Sequence, residues 1–183
     1  MQKIKKFKPT LLLMFGHPGS GKTYFSERLA KKEGFVHISS DHLRHSVLEH
    51  PLFLPQENKF IFGLMDYLAE AFLKHDVSLI YDANSNRKIY RSRLQKLAKQ
   101  YGASCVTVWI HTKQEIALKR IDTRAKTKHP FKMKMYRPLD TETFTILRDS
   151  MEFPDQNEKV IELDGHKPFS EQYKHFKKQF TIL

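Results

Sequence analysis

Eight consecutive residues near the start of the sequence have the types and the spacing that bind a nucleoside triphosphate. They are Gly16, His17, Pro18, Gly19, Ser20, Gly21, Lys22 and Thr23, which match the pattern G-x-x-x-x-G-K-[ST] at every fixed position. The glycines let the backbone curl until successive N–H groups point at phosphate oxygens. The ammonium group of Lys22 suits the β- and γ-phosphates, and the hydroxyl of Thr23 suits Mg²⁺. The segment therefore predicts a site for ATP and Mg²⁺, with a purely structural glycine-rich turn as the alternative.

A second oxygen ligand for the metal is predicted at Asp82, which ends the apolar run 77–81. Phosphate-binding loops of this type commonly hold Mg²⁺ together with an Asp at the end of a neighbouring strand. The alternative is an Asp that caps the turn after the strand, which is a frequent role for this residue type. Thr23 and Asp82 are therefore our candidate metal ligands.

A hydroxyl group that receives a phosphoryl group must lose its proton, and Asp41 is our candidate for the base that takes it. Asp41 follows the second apolar run, 35–38, and the loops after strands form the ligand site of a parallel sheet. Arg44 comes one helical turn later, where a guanidinium group can hold an acceptor phosphate or carboxylate. The alternative is that Ser40 or Asp41 only caps a helix.

A cationic group is predicted on a helix that runs into a basic loop, and it consists of Lys119, Arg120 and Arg124. Arg120 and Arg124 are four residues apart and share a helix face. Cations in such a place can close over ATP, exclude water and stabilise the charge on the transferred phosphoryl group. We therefore predict a lid over about 120–138, with a solvated helix face as the alternative.

Several other side chains that could react or bind metal are assigned to the core or the surface. His42 and His45 lack the cysteine or acidic partners that a metal site needs. Cys105 lies in an apolar run and is predicted to be a buried thiol. The aromatic and methionine residues assigned to the core are Phe60, Phe62, Met65 and Phe72.

Apolar runs alternate with amphipathic stretches along the chain, which is the pattern of an α/β fold. Strands are predicted at 10–15, 35–38, 77–81, 104–110 and 160–163. Helices are predicted at 22–32, 41–50, 57–74, 87–100, 113–126, about 140–151 and 170–180. Strands separated by helices favour a mostly parallel five-stranded sheet with helices on both faces, a three-layer sandwich. The glycine-rich segment then joins a strand to a helix, as its motif requires.

The composition indicates one compact domain of 183 residues, which we assign to 1–183 with a core at about 10–165. The net charge is +12, from 32 Lys and Arg against 20 Asp and Glu, and such a field attracts polyanions such as nucleic acid. No apolar run approaches the ~20 residues of a membrane helix. The single cysteine cannot form an internal disulfide, so a cytoplasmic location is expected.

Four segments give the chain a resemblance to a known group of kinases. They are GHPGSGKT at 16–23, SSDHLR at 39–44, IYDANSNRKIYRSRL at 80–94 and ALKRIDTRAKTK at 117–128. In this order they resemble the P-loop kinases that include the polynucleotide 5′-hydroxyl kinases and the zeta-toxin-like kinases, often labelled an AAA-type ATP-binding domain. The resemblance covers about 11–163, and it implies a nucleoside-kinase-like fold with the P-loop strand in the middle of the sheet.

The resemblance also implies roles for single residues. On the acceptor side, it implies Asp41 as the general base, Arg44 as the acceptor clamp and Arg87 as a basic residue near the acceptor. On the ATP side, it implies Asp82 as the acidic residue after the third strand. It also implies Arg124 as the lid arginine that reaches the ATP phosphates, with Arg120 one turn before it.

The residues and the resemblance together predict an ATP-dependent phosphotransferase that moves the γ-phosphate to a hydroxyl acceptor. A polynucleotide 5′-hydroxyl would account for the basic charge, whereas a nucleoside, sugar or antibiotic acceptor would need only a closed pocket. The alternative from another class is an ATP-gated nucleic-acid-binding module that hydrolyses ATP without forming a phosphorylated product. The sequence leaves the acceptor, the adenine contacts and the oligomeric state open.

Overall fold

Five parallel strands form the centre of the molecule. The computed structural model describes residues 8–83, 85–126 and 139–181, apart from the side chains of residues 124–126. The strands are β1 (Thr10–Phe15), β2 (Val36–Ser39), β3 (Leu79–Asp82), β4 (Ser104–His111) and β5 (Val160–Asp164). They lie in the order β2-β3-β1-β4-β5, and every neighbouring pair is parallel. The predicted parallel sheet, with the strand before the glycine-rich segment in the middle, is confirmed.

Helices connect the strands and cover both faces of the sheet. Those in the described residues are α1 (Lys22–Glu33), α2 (Ser40–Val47), α3 (Pro55–Lys74), α4 (Lys88–Gln100), α5 (Gln114–Lys126), α6 (Thr141–Asp149) and α7 (Phe169–Phe180). Alternate side chains of a strand point to opposite faces, and both faces of β1 are buried. Leu11 and Leu13 pack in the layer with α3 and α4, and Leu12 and Met14 in the layer with α1 and α7. This is the predicted three-layer α/β sandwich.

The buried stripe of α3 differs by one position from our prediction. We expected Phe60 in the core, but it is 57% exposed. The buried residues of the helix are Ile61, Met65, Ala69 and Leu73. Phe60 belongs to an adjacent stripe with the same four-residue spacing, so the spacing could not tell which stripe faces the sheet. The prediction for Phe60 is therefore wrong, whereas that for Met65 is confirmed.

No helix among the described residues is long and apolar enough to cross a bilayer.

Cys105 on β4 packs against the core layer formed with α3 and α4. Burial raises the pKa of its thiol to about 12, with a smaller contribution from the negative charge of Glu158. A thiol with this pKa stays protonated at neutral pH and is a poor nucleophile. Cys105 is therefore a packing residue, as predicted.

The carboxyl ends of the three neighbouring strands β2, β3 and β1 meet at one edge of the sheet, where parallel α/β folds bind ligands. β1 ends directly before the glycine-rich segment 16–23, which we call the phosphate-binding loop. β2 ends at Ser39, immediately before α2, and β3 ends at Asp82. Backbone pairing places Ser39 opposite Asp82. The sheet therefore brings the start of α2 and the end of β3 towards the loop.

Candidate active site

The phosphate-binding loop curls at the carboxyl end of β1. Gly19 and Gly21 have φ angles of +74° and +107°, which residues with a Cβ rarely adopt. Gly21 is the N-cap of α1, so the positive end of that helix points at the loop. The ammonium group of Lys22 donates to the carbonyl oxygens of Gly16 at 2.7 Å and His17 at 3.0 Å. The loop thus combines a helix N-terminus with one cation, an arrangement that binds phosphate.

Arg120 of α5 braces the phosphate-binding loop. Its guanidinium group donates to the carbonyl oxygens of Gly19 at 3.4 Å and Ser20 at 3.3 Å, and to that of Gly165 at 2.8 Å. The hydroxyl group of Thr112 donates to the same carbonyl of Ser20 at 2.8 Å. Arg120 therefore joins α5, the loop and the segment after β5. Its predicted contact with ATP stays a prediction, because its guanidinium group here binds main-chain oxygens.

The side chain of His17 fixes the loop to its surroundings. The ring nitrogens of His17 lie 2.9 Å from the carbonyl oxygen of Pro18 and 2.8 Å from that of Thr112. Its ring meets the ring of Phe144 on α6 edge to face, with centroids 5.3 Å apart. Ser20 is completely buried. The ATP contact predicted for His17 would therefore come from its backbone N–H group. The N–H of Ser20 donates to the carbonyl oxygen of His17 at 3.2 Å, so the ATP contact predicted for Ser20 would need that bond to be exchanged.

Gly19→Ala is expected to weaken the binding of Mg·ADP by about tenfold or more, because strain at a ligand site costs on the order of 1–3 kcal/mol. A Cβ at Gly19 would lie 2.6 Å from the carbonyl oxygen of Ala117 on α5, so the loop or the helix must shift. Gly34→Ala is the matched control: Gly34 has the same φ of +74°, and nothing lies within 4 Å of its Cβ position. Isothermal titration calorimetry measures both affinities. Equal affinities of the two variants would contradict a loop held tightly against α5.

Asp82 lies at the end of β3 with 4% of its surface exposed. His37 on β2 contacts one of its carboxylate oxygens, with 3.1 Å between Nε2 and Oδ2. This contact fixes the orientation of a carboxylate that lines the same cavity as Lys22 and Thr23. His37 was not among the predicted site residues, because only the pairing of β2 with β3 places it beside Asp82.

A cavity of about 350 Å³ lies between the phosphate-binding loop, the start of α2 and the end of β3. The predicted site residues in its wall are Gly16, Pro18, Gly19, Gly21, Lys22, Thr23, Asp41 and Asp82. We call it the active-site cavity, since it brings together the loop, the candidate base and both candidate metal ligands. Ile121 and Leu139, which flank most of the predicted lid, also line it.

Arg44, the predicted acceptor clamp, lies behind the wall of this cavity rather than in it. It is 3% exposed, pairs with the carboxylate of Glu57 and donates to Oδ1 of Asn58 at 2.6 Å. Its guanidinium group also lies 4.6 Å from the ring centroid of Phe53. These contacts join α2 to α3 and hold the start of α2 in place. A contact between Arg44 and the acceptor stays a prediction.

Arg87 and Arg124 are two further predicted site residues whose side chains are not described in the wall of this cavity. Arg87 is the N-cap residue of α4, and its side chain is 61% exposed with Nε 3.7 Å from a carboxylate oxygen of Glu152. The backbone of Arg124 belongs to α5, but its side chain lies outside the described residues, as does the lid segment 127–138. The roles of Arg87 near the acceptor and of Arg124 at the phosphates stay predictions.

The cavity wall also contains residues that were not in the predicted site, among them His45, Phe53 and Asn86. We assigned His45 to the core or the surface, but it lies one turn after Asp41 in the same cavity. Burial lowers the pKa of its imidazole, partly opposed by the negative charge of Asp41, so the ring is neutral at pH 7. Asn86 accepts a hydrogen bond from the N–H of Gly16 at 3.4 Å. The four-residue spacing of Asp41 and His45 was the signal that could have revealed the histidine.

Hard oxygen donors in the active-site cavity fit a magnesium ion. The hydroxyl group of Thr23 and the carboxylate of Asp82 line the cavity together, and both are ligand types that Mg²⁺ prefers. Within residues 8–83, 85–126 and 139–181, no group of three or more His, Cys, Asp or Glu forms a metal site. Mg²⁺ usually takes one or two protein ligands and completes its shell with water and substrate phosphates.

Known proteins are similar to this chain in sequence and in fold. The family model described as AAA domain matches residues 11–152. An L-seryl-tRNA(Sec) kinase of Methanococcus maripaludis is 27% identical over 137 residues, which are 72% of this chain and 52% of that protein. The chain thus spans about half the length of this curated relative.

Two solved structures superpose on nearly the whole chain. A suspected kinase from Chloroflexus aurantiacus has a TM-score of 0.73 at 16% identity, covering 96% of this chain and 97% of its own. A gluconokinase from Sinorhizobium meliloti has a TM-score of 0.65 at 17% identity, covering 97% and 94%. At these identities the matches show the fold, and they agree with the predicted P-loop NTPase fold.

Proposed function

The chain belongs to the AAA domain family, and on this basis we propose that it is an ATP-dependent kinase that transfers the γ-phosphate to a hydroxyl group. One observation supports this above all: Asp41 lines the same cavity as Lys22 and Thr23. A simple ATPase needs the loop and the metal, but a carboxylate beside the phosphates suits the removal of an acceptor proton. The curated relative is also a kinase by name.

In the proposed reaction, Lys22 exchanges its two carbonyl partners in the loop for oxygens of the β- and γ-phosphates. The acceptor oxygen forms a bond to the γ-phosphorus while Asp41 takes the acceptor proton. The bond between the γ-phosphorus and the β–γ bridging oxygen breaks, and ADP leaves with that electron pair. Thr23 and Asp82 would hold Mg²⁺, which when bound neutralises charge on the phosphates.

We also propose that residues of about 120–138 form a lid over ATP, with Arg124 directed at the phosphates. The position of Ile121 and Leu139 in the cavity wall supports this, since they lie close to the two ends of that segment. A cytoplasmic setting is proposed as well, because the single cysteine, Cys105, cannot form an internal disulfide.

For the acceptor we favour a nucleic acid with a free hydroxyl group, such as a polynucleotide 5′-hydroxyl. The net charge of +12 supports a polyanionic partner, and the curated relative is named for a tRNA substrate. A small-molecule hydroxyl is the second candidate. The fold shared with a gluconokinase and the modest volume of the active-site cavity favour that alternative.

Transfer of radiolabel from [γ-³²P]ATP to single-stranded oligonucleotides and to a panel of nucleosides and sugars tests the proposal. We expect a labelled product with one class of acceptor, and none with the Lys22→Ala variant, which controls for contaminating kinases. Steep loss of transfer with rising salt would indicate the nucleic acid, because phosphate contacts release counterions. ATP hydrolysis without any labelled product would instead identify an ATPase and reject the kinase.

A further inference from the structure

A second cavity, of about 420 Å³, lies beside the active-site cavity, and we call it the α3–α4 cleft. Its wall includes Asn58, Lys59 and Phe62 of α3, Ser85 after β3, and Tyr90 and Arg93 of α4. The two cavities meet at the segment after β3. Asp82 and Asn86 line the first, whereas Ser85 lines the second. The cleft therefore opens next to the strand end at which phosphoryl transfer is proposed.

The cleft is also linked to the helix that carries the candidate base. Asn58 in its wall accepts a hydrogen bond from Arg44 of α2, at 2.6 Å. Asp41 lies one turn before Arg44 on that helix and lines the active-site cavity. A ligand held in the cleft would thus approach the reaction centre from the side of Asp41, the candidate general base. The phosphate-binding loop lies in the other cavity.

Aromatic rings line the cleft. Tyr90 is 42% exposed, so one part of its ring is open to a ligand, and Phe62 is half-buried opposite it on α3. Tyr81 contributes to the wall with its hydroxyl group bonded to Asp66 at 2.9 Å, which fixes its ring. Aromatic side chains of this kind stack on nucleobases, because every base has a π-face.

Two cations accompany these rings. Arg93 lies with its guanidinium carbon 5.9 Å from the ring centroid of Tyr90, and it pairs with Asp66 at 2.6 Å. Lys59 is exposed on α3 and also lines the cleft. Arginine and lysine are the usual contacts of phosphate groups in nucleic acids. The cleft therefore combines a stacking surface with positive charge.

We propose that the α3–α4 cleft binds the heteroaromatic base of a nucleotide, with the base against Tyr90 and Phe62 and its phosphate near Lys59 and Arg93. The assignment of this nucleotide to the acceptor rests on the proposed kinase function. Its binding in the cleft does not, because it follows from the wall of the cleft alone. The base can belong to a nucleic-acid strand or to a free nucleotide, and the test separates these sources.

Fluorescence titration tests the proposal with two probes, a short single-stranded oligonucleotide that contains 2-aminopurine and the free 2-aminopurine nucleoside monophosphate. We expect Tyr90→Ala to weaken binding of the tighter probe by about 5- to 150-fold, the range for loss of one stacked base. Tyr67→Ala is the matched control, since Tyr67 is 67% exposed on α3 and does not line the cleft. Binding of Mg·ADP should be unchanged in both variants.

Gly63→Leu is a second variant that does not depend on removing an aromatic ring. Gly63 lies in the middle of α3, lines the cleft and has nothing within 4 Å of its Cβ position. A leucine there favours the helix and takes up part of the cleft, so we expect weaker probe binding with Mg·ADP binding retained.

If either probe binds and its binding is weakened in Tyr90→Ala and Gly63→Leu, the proposed base site in the α3–α4 cleft is supported. The probe that binds more tightly then identifies the source of the base. No binding of either probe to the unaltered protein would overturn it, as would equal losses in Tyr90→Ala and Tyr67→Ala. If the kinase proposal is wrong, the transfer assay shows no γ-phosphate transfer while the probes still bind to the cleft.

Discussion

Asp41→Asn is expected to slow phosphoryl transfer by about 10²–10⁴-fold, the usual contribution of a general base. The substitution keeps the shape of the side chain but removes the group that can accept a proton. Asp41 lines the cavity beside Lys22 and Thr23 and lies in the first turn of α2, whose N-cap is Ser39. Since the phosphate-binding loop is untouched, the affinity for Mg·ADP should stay within about twofold. Single-turnover transfer and calorimetry measure the two effects.

His45→Gln is the control for this prediction, because His45 lies one turn after Asp41 in the same cavity and can also take a proton at neutral pH. Its pKa is lowered by burial, so the imidazole is in the neutral, basic form. A base role for Asp41 requires a much smaller effect of His45→Gln on the rate. If Asp41→Asn retained near-normal turnover while His45→Gln lost it, the base would be His45.

Local patterns in the sequence were sufficient for the fold. The strand Thr10–Phe15 is a continuous apolar run that ends at glycine, and it became the central strand, buried on both faces. The phosphate-binding loop follows from residue types at fixed spacing, because backbone curling requires glycine at its positions. The exposed position of Phe60 could not be predicted in this way. Two adjacent stripes on α3 have equal spacing, and only packing against the sheet decides between them.

In the active site, too, some positions follow from the local sequence and others are decided only by packing. Asp41 and Asp82 follow strands, so the parallel sheet alone brings them to the loop. The arginines are different, because a guanidinium group on a long side chain can reach partners in several directions. Arg44 contacts Glu57 and Asn58, and Arg120 contacts main-chain oxygens of the loop. Neither set of partners is close in sequence, so spacing could not predict them.

Arg91→Met is expected to lower the free energy of unfolding by about 3–5 kcal/mol, the cost of leaving one partner of a buried ion pair uncompensated. Arg91 is completely buried, and its guanidinium group donates to both carboxylate oxygens of Glu158 at 2.8 and 2.9 Å. It also donates to the carbonyl oxygen of Ser85 at 3.0 Å and lies 5.0 Å from the ring centroid of Phe15. Methionine would fill part of the space but leave the carboxylate of Glu158 without its cation, with the side-chain amide of Gln95 as a remaining donor at 3.2 Å.

Arg93→Met provides a matched control two residues along the same helix. The side chain of Arg93 is 53% exposed, and its pair with Asp66 lies at the surface, where such pairs contribute about 0–1 kcal/mol. Urea unfolding of both variants measures the difference. The double variant Arg91→Met/Glu158→Leu should recover most of the loss, because no charge is then left buried. A similar small loss in Arg91→Met and Arg93→Met would mean that the ion pair of Arg91 is hydrated.

The effect of Arg91→Met should extend to nucleotide binding. The contact of Arg91 with Ser85 fixes the chain next to Asn86, whose side chain accepts a hydrogen bond from the first glycine of the phosphate-binding loop. Loosening this segment therefore removes support from the loop, and we expect weaker binding of Mg·ADP in the folded fraction of Arg91→Met. Arg93 has no such connection to the loop in the described contacts, so Arg93→Met should bind Mg·ADP normally. A stability loss in Arg91→Met with unchanged nucleotide affinity would limit the role of Arg91 to the core.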